Sequence, residues 1–347
     1  TRPDAPAIVE TDRVLDYRAF DALVEAKGRD FAGNRALGWL GHNSADQLAT
    51  LFACARSGTR FVPLNWRLTA SELAVLATHA EIDGLYSAPE TAALGQAVCA
   101  QWEPPYHPAA NADDDLLLVY TSGATGEPKG ALHTQATMLA NIDAAIDAQG
   151  FDATTRTLAV LPLFHVGGLC IQVLPTLAAG GVVKLQPRFD AVAWFDDVAT
   201  WRPTTSLLVP AAMSALIEHA RWRDADLSSL RFINCGSQIV PRALIEVFHA
   251  RGVPVAQVYG ATETGPVTLV LRPDEAMAHV GSVGKPALNV EVRLVNGEVH
   301  VRAPNCARGY HRRPNDEAFA DGWFRTGDLA RLDANGFYEI VGRAKEL

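Results

Sequence analysis

Cysteine is sparse and unpatterned in this 347-residue chain: Cys54, Cys99, Cys170, Cys235 and Cys306 form no C-x-x-C pair and sit beside no histidine cluster at ligand spacing. A disulfide framework or a zinc site is therefore not expected, and the five read as reduced and mostly buried. Missing too is any apolar run near the roughly 20 residues that a membrane span needs. No cationic N-terminus leads into an apolar core with a cleavage site, so the cytoplasm is the default compartment. There is no dense basic stretch. With 30 Lys and Arg against 39 Asp and Glu, the formal net charge is -9 and the pI about 5.6. That balance argues against a constitutive nucleic-acid binder while leaving room for a local anion site. No short-period repeat or low-complexity tract is visible. What is present is 48% hydrophobic composition, enough for a large core divided into two or three domains.

The chain begins at Thr1-Arg2-Pro3 and stops at Lys345-Glu346-Leu347, inside what reads as the start of another segment, so both ends look like trims. Hydrophobic periodicity predicts helices over Phe20 to Phe31, Ala45 to Arg56 and Ser71 to Thr78, the last capped by Ser71. Ala36 to Gly41, Phe61 to Leu64 and Asp83 to Ser87 read as buried strands between them. After a glycine-rich loop the alternation recurs: helices Ala136 to Gln149, Gly168 to Ala178 and Val192 to Thr200, with strands Thr157 to Leu161, Val182 to Leu185 and Ser206 to Val209. Alternation of this kind predicts parallel sheets covered by helices, in two α/β layers. Beyond about Gly281 short segments of period two take over, such as 290–294 and 298–301, with Asn-Gly and Pro-Asn turns; a small β-rich part is expected there.

The strongest signal is Leu116-Leu117-Leu118-Val119-Tyr120-Thr121-Ser122-Gly123-Ala124-Thr125-Gly126-Glu127-Pro128-Lys129-Gly130. A buried strand runs into hydroxyls, glycines and a lysine. Gly123, Gly126 and Gly130 let backbone N–H groups approach phosphate oxygens, the hydroxyls of Thr121, Ser122 and Thr125 add donors, and Lys129 supplies a compact positive charge. The spacing is not G-x-x-x-x-G-K-[ST], because Pro128 precedes and Gly130 follows the lysine, which disfavours a P-loop ATPase. A surface loop of small residues is the bland alternative. It seldom needs three hydroxyls and a lysine straight after a buried strand.

A second turn, Tyr259-Gly260-Ala261-Thr262-Glu263-Thr264-Gly265, follows the apolar run 253–258. Tyr259 can stack on a base, Thr262 can donate to a phosphate, and Glu263 can hold Mg2+, a hard cation that takes oxygen ligands and bridges ATP phosphates. A generic β-turn would account for it as well. Asn234-Cys235-Gly236-Ser237-Gln238 likewise follows a strand, 230–233, and precedes Pro241 at a helix start.

Together these segments resemble the acyl-adenylate-forming superfamily of acyl-CoA synthetases, firefly luciferases and nonribosomal peptide adenylation domains. The loop at 121–130 matches nearly throughout, with Ala124 where many members have threonine. Gly322-Trp323-Phe324-Arg325-Thr326-Gly327-Asp328-Leu329 and Gly342-Arg343-Ala344-Lys345 match two further motifs, in order. The resemblance implies two doubly wound α/β subdomains over 1–278, a small distorted β-barrel subdomain over 279–341, and a hinge at 342–347, with Lys345 on the hinge position before a small C-terminal domain. That domain carries the lysine that stabilises charge during adenylation. Losing one such group costs on the order of 10² to 10³ in rate, so these 347 residues are expected to bind ATP yet adenylate poorly. Short loops at 295–298 and 29–34 read as deletions or as residues missing from the chain.

In similar enzymes the segment at Gly236, Ser237 and Gln238 lines the other adenine face. Asp328 accepts from the ribose hydroxyls, and Arg343 donates to ribose or phosphate; an ion pair between the two is the plain alternative. His165 stands where the family has an aromatic or histidine beside the acyl carboxylate. With Val209, Pro210, Gly236, Val283 and Gly284 it would line the acyl pocket. Those stretches hold no arginine or lysine to pair a second carboxylate, which favours a fatty or aromatic monoacid over a dicarboxylate. The implied reaction is ATP-dependent formation of an acyl-AMP followed by attack of CoA thiol, with ATP, Mg2+ and CoA required and a small-molecule carboxylic acid as partner; a homodimer stays open. A carrier-loading adenylation domain would need an acidic residue to anchor an amino group, and none follows Phe232-Ile233. A catalytically silent nucleotide-binding protein is the rival from another class.

Overall fold

The computed structural model describes residues 2–104, 114–121, 128–313 and 317–344. The strands of these described residues form three sheets. The first holds nine: β1 (Pro6–Val9), β2 (Val14–Asp16), β8 (Arg156–Ala159), β9 (Val182–Leu185), β10 (Thr205–Leu208), β11 (Phe232–Gly236), β12 (Val255–Tyr259), β13 (Leu269–Val270) and β14 (Lys285–Pro286), in the order β14-β13-β12-β11-β10-β8-β9-β1-β2. The second holds six: β3 (Ala36–Leu40), β4 (Arg60–Pro63), β5 (Gly84–Ser87), β6 (Asp115–Thr121), β7 (Lys129–Thr134) and β17 (Gly309–Tyr310), in the order β17-β7-β6-β4-β3-β5. The third is antiparallel, β15 (Glu291–Val295), β16 (Glu298–Arg302), β18 (Phe324–Leu332) and β19 (Tyr338–Arg343), and among the described residues its two edges are not bonded to each other.

Helices cover both faces of the two large sheets, which is the doubly wound α/β arrangement. The interior between the sheets is shared. Ile8, Val183 and Leu185 of the first sheet, Leu37, Trp39, Phe61 and Leu117 of the second, and side chains of helices Tyr17–Asp30, Ala45–Ser57 and the 166–178 stretch belong to one buried cluster. Outside the first sheet pack helices Ala191–Thr200, Pro210–Glu218 and Arg242–Ala250, burying Trp194, Phe195 and Phe248. Outside the second lie Ala70–His79 and Ala92–Cys99. Strands buried on both faces need continuous apolar sequence, which is why Ala36–Leu40 is buried at every position.

Local signals set the boundaries. Ser44 caps Ala45–Ser57 and Gly58 ends it in the left-handed region. Helix Ala70–His79 is capped by Thr69, not Ser71: Thr69 and Glu72 form a reciprocal capping box, which Ser71 cannot do because no acid stands three residues after it. β11 runs through Gly236, so Asn234 and Cys235 are strand residues with buried side chains rather than parts of a loop. Strand β7 is not signalled in the sequence, where its first two residues, Lys129 and Gly130, read as the end of the glycine-rich loop; it becomes a strand by pairing with β6. All five cysteines are free, with Cys54, Cys170 and Cys235 buried and Cys99 exposed. Among the described residues, no helix is long and apolar enough to cross a membrane.

Asn43 ties the two large sheets together. Its Nδ2 donates to Leu161 O at 2.9 Å and Gln186 O at 3.0 Å, and its Oδ1 accepts from Leu163 N at 2.9 Å. Asn43→Ala leaves three backbone groups without this partner, those of Leu163 and Gln186 in buried positions, so we expect a loss of about 3 kcal/mol in denaturant unfolding; an unchanged midpoint contradicts this role.

Candidate active site

β8, β10, β11 and β12 are mutually parallel in the first sheet, so their C-terminal ends lie along one edge. Ligands of open α/β sheets bind at such edges. Here that edge carries the loop 161–165 after β8, Val209-Pro210 after β10, Ser237-Gln238 after β11 and Gly260 after β12. Gly236 pairs with Val258, and a Cβ on it would sit 2.2 Å from Val258 O; a Cβ on Gly260 would sit 1.7 Å from Pro266 O. Only glycine lets the backbone pack this closely at either position.

The second sheet brings the β6-β7 hairpin to the same place. Thr121 and Lys129 are paired residues of the β6-β7 hairpin. Ser122, Gly123, Thr125 and Gly126 lie outside the described residues, as does Lys345. From β7, His133 Nε2 donates to Thr262 O at 2.8 Å. The turn Thr262–Thr264 is thereby tied to the hairpin that carries Lys129. A strap at 307–311 completes the link: Ala307 N donates to Glu263 O at 2.7 Å, Arg308 N to Leu132 O at 2.9 Å and His311 N to Gly130 O at 2.8 Å. Tyr310 of β17 donates to Glu263 Oε1 at 2.5 Å, and Lys129 Nζ lies 5.2 Å from the centre of the same ring. Lys129 and Glu263 thus meet at one side chain.

The 261–267 turn is braced from behind. Asn305 Nδ2 donates to Thr264 O at 2.8 Å and Val267 O at 3.0 Å, and Asn141 Oδ1 accepts from Val267 N at 3.2 Å. Glu263 is only 7% exposed, and among the described residues no cationic side chain pairs with it within 4.0 Å. A buried, hard-oxygen carboxylate with no counter-ion fits Mg2+, which is ordinarily held by one or two carboxylates plus substrate phosphates. No group of three or more His, Cys, Asp or Glu able to hold a metal occurs among the described residues.

On the third sheet Asp328 and Arg343 are register partners of β18 and β19. The plain ion pair forms, Arg343 Nε to Asp328 Oδ1 at 2.8 Å. The other oxygen, Oδ2, accepts from Tyr259 OH at 2.9 Å, so the third sheet meets the first beside the same edge. Burial first, then the Asp328 charge, raises the Tyr259 phenol well above its ordinary pKa.

The acyl-pocket candidates divide. His165 is exposed at one edge while its ring rests 4.5 Å from Phe164. Loss of water on the covered side, and then the charge of Arg67, hold its pKa below the usual value. A Cβ on Gly167 would lie 3.5 Å from Ser237 Oγ, which sets the His165 loop against the segment after β11, next to Val209 and Pro210. Val283 and Gly284 instead bond to Tyr338, through Val283 N to Tyr338 O at 2.9 Å and Tyr338 N to Gly284 O at 2.8 Å. Val283 joins the core cluster of Val258, Leu269 and Val299. Leu161, at the head of the His165 loop, packs against that cluster and against the one around Trp194.

His133, Asn141, Asn305 and Tyr310 carry no signal in the sequence. Each acts on the turn from a distant strand, helix or loop, and nothing near it in the chain marks it.

With this geometry in view, the comparisons define the class. A model of the AMP-binding enzyme family matches residues 1–311. The chain belongs to that family, as an AMP-forming acid–thiol ligase. More particularly, it is 38% identical to an indoleacetate–CoA ligase of Aromatoleum aromaticum, over 99% of this chain and 76% of that protein. It is 37% identical to a feruloyl-CoA synthase of an Amycolatopsis species, over 99% and 77%. Among solved structures, the N-terminal domain of FACL13 from Mycobacterium tuberculosis matches with a TM-score of 0.89 at 26% identity, covering 98% of this chain and 96% of that one.

His133 is fully buried and its pKa is pushed down to about 4, chiefly by burial. An unfolded histidine titrates near 6.5. Between these values the unfolded chain binds a proton that the folded chain does not. The contribution of His133 is therefore complete above about pH 6.5 and falls away as the pH drops toward 4, by about 3 kcal/mol in all. His311, pushed down to about 4 by burial and then by Arg60, adds a second loss in the same direction. Unfolding free energy measured from pH 8 to 4 is expected to decline over that window, and His133→Gln to flatten the slope; equal slopes for both proteins exclude His133 as a source.

Proposed function

We propose that this chain binds ATP and a monocarboxylic acid and joins them as an acyl-AMP, the first half-reaction of an acid–CoA ligase, with CoA taking the acyl group in the second. The observation that carries the reading is the meeting of Lys129 and Glu263 at one tyrosine ring. In this arrangement the Lys129 ammonium, with the donors of the 121–126 loop, neutralises and orients the phosphates. Tyr259 offers a ring face to adenine, the backbone of Gly236, Ser237 and Gln238 covers the opposite face, and Gly260 and Thr262 face the α-phosphate. Asp328 accepts from ribose, while Arg343 supplies a donor beside it. Glu263 would hold Mg2+, whose chemistry is to offset charge on the bridging phosphate oxygens. Little bond-making falls to the protein itself; positioning and charge supply the rate.

For the acid, the absence of arginine and lysine beside His165, Val209, Pro210 and Gly236 supports a monoacid with an apolar body. The names of the two bacterial relatives, an indoleacetate ligase and a feruloyl-CoA synthase, support an aromatic acid ahead of an aliphatic one. Val283 and Gly284 would shape the pocket only through the core beneath Tyr259. Residues 342–347, with Lys345, serve as the hinge in the same reading, and the cytoplasm is the compartment where ATP and CoA would be supplied.

Thermal unfolding with ATP and Mg2+ is the test. Saturating ligand is expected to raise the midpoint by roughly 2 to 4 °C, with the shift lost in Lys129→Ala and in Glu263→Ala. A wild-type midpoint indifferent to the nucleotide sinks the reading. Pyrophosphate release across a panel of acids then ranks aromatic against aliphatic substrates.

A further inference from the structure

The strap residue between the two turns does more than fill space. Tyr310 is 8% exposed, and its ring is held at its side by Phe319, edge-on at 5.3 Å and 80°. Its hydroxyl reaches Glu263 while the Lys129 ammonium lies over its face. Neither Lys129 nor Glu263 forms an ion pair within 4.0 Å among the described residues. Opposite charges this close to a common side chain would gain by pairing directly, more so in a partly dry site. A direct pair would neutralise the two groups that the nucleotide and its cation need. An aromatic ring with a hydroxyl tip satisfies both without that collapse: the π face attracts the ammonium, and the O–H makes a charge-assisted bond to the carboxylate.

We propose that Tyr310 is a positioning residue that spaces Lys129 from Glu263, keeping the ammonium free for phosphate and the carboxylate free for the metal ion. The proposal rests on the ATP reading above. The strap itself is anchored firmly enough to hold the ring in place. Beside Tyr310, His311 Nδ1 lies 3.2 Å from an Arg60 nitrogen and its Nε2 lies 3.1 Å from His79 O, all behind the hairpin.

The experiment measures ATP affinity calorimetrically in excess Mg2+ and again in EDTA, for wild type, Tyr310→Phe and Tyr310→Leu, with ligand-free melting recorded for each. Tyr310→Phe keeps the ring and loses the hydroxyl. It is expected to weaken ATP binding about tenfold in Mg2+ and less than twofold in EDTA. Tyr310→Leu removes both contacts, lets Lys129 fall onto Glu263, and is expected to weaken binding in both media. A Tyr310→Phe protein that matches wild type in both, or loses equally in both, overturns the spacing role even if its melting point drops. Should that variant not fold, Phe319→Ala withdraws the support of the ring without touching either charge; a Mg2+-dependent loss of about threefold supports the proposal and unchanged affinities overturn it. Wild type that binds no ATP in either medium defeats the nucleotide reading and this proposal with it, whereas wild-type binding with an indifferent Tyr310→Phe defeats this proposal alone.

Discussion

The arrangement of the site depends on five residues that cross from one sheet to another. The strap 307–311 bonds to Glu263 at one end and to the β7 hairpin at the other, and among the described residues the His133 to Thr262 bond adds a second tie between the hairpin and the 262–264 turn. These are main-chain hydrogen bonds, individually modest. Their value lies in cooperativity: each is short in range, and together they leave the turn and the hairpin one relative position. The buried asparagines Asn141 and Asn305 extend the same logic to the back of the turn, where the chain makes no regular secondary structure and its peptide groups need side-chain partners.

Burial and exposure are divided accordingly. Among the groups that hold the geometry, His133 and His311 are buried, and burial holds both below the ordinary histidine pKa. Of the groups that would meet a ligand, His165 is exposed and Tyr259 and Asp328 are partly covered, while Glu263 is buried. Three sheets contribute residues to this one place: Tyr259 from the first, Lys129 from the second and Asp328 from the third.

Much of this was legible in the sequence, and the reason is locality. The helices and parallel strands follow from apolar periodicity and caps within a few residues, and the motifs at 121–130, 259–263, 322–329 and 342–345 are contiguous runs whose residue types state their chemistry. The errors were of short reach, as at Thr69, where Glu72 chooses the cap, and at β7, whose strand character comes wholly from its neighbour. What escaped was the wiring. Tyr310 is 47 positions from Glu263, and His133 is 129 from Thr262. No periodicity spans such separations, so a Gly-Tyr pair in an ordinary-looking stretch gave no hint that it joins an acid to a base. The Asp328 to Arg343 pair is the bland alternative to ligand binding, yet a third contact, from Tyr259, ties the pair to the end of β12.

The strand order also carries a consequence for how the molecule is made. β1 lies beside β9, with Ile8 opposite Val183, and β17 closes the far side of the hairpin with Tyr310 opposite Ala131. On the ribosome, the first strand meets β2 at once but must wait for β9, and the rim of β7 stays bare until the strap at 307–311 has emerged. Contacts of such long loop length form late and slowly, and a bare rim invites pairing with other chains. The joint between turn and hairpin is therefore completed only after the strap has emerged, and until then an unfinished polypeptide keeps its stickiest border at β7.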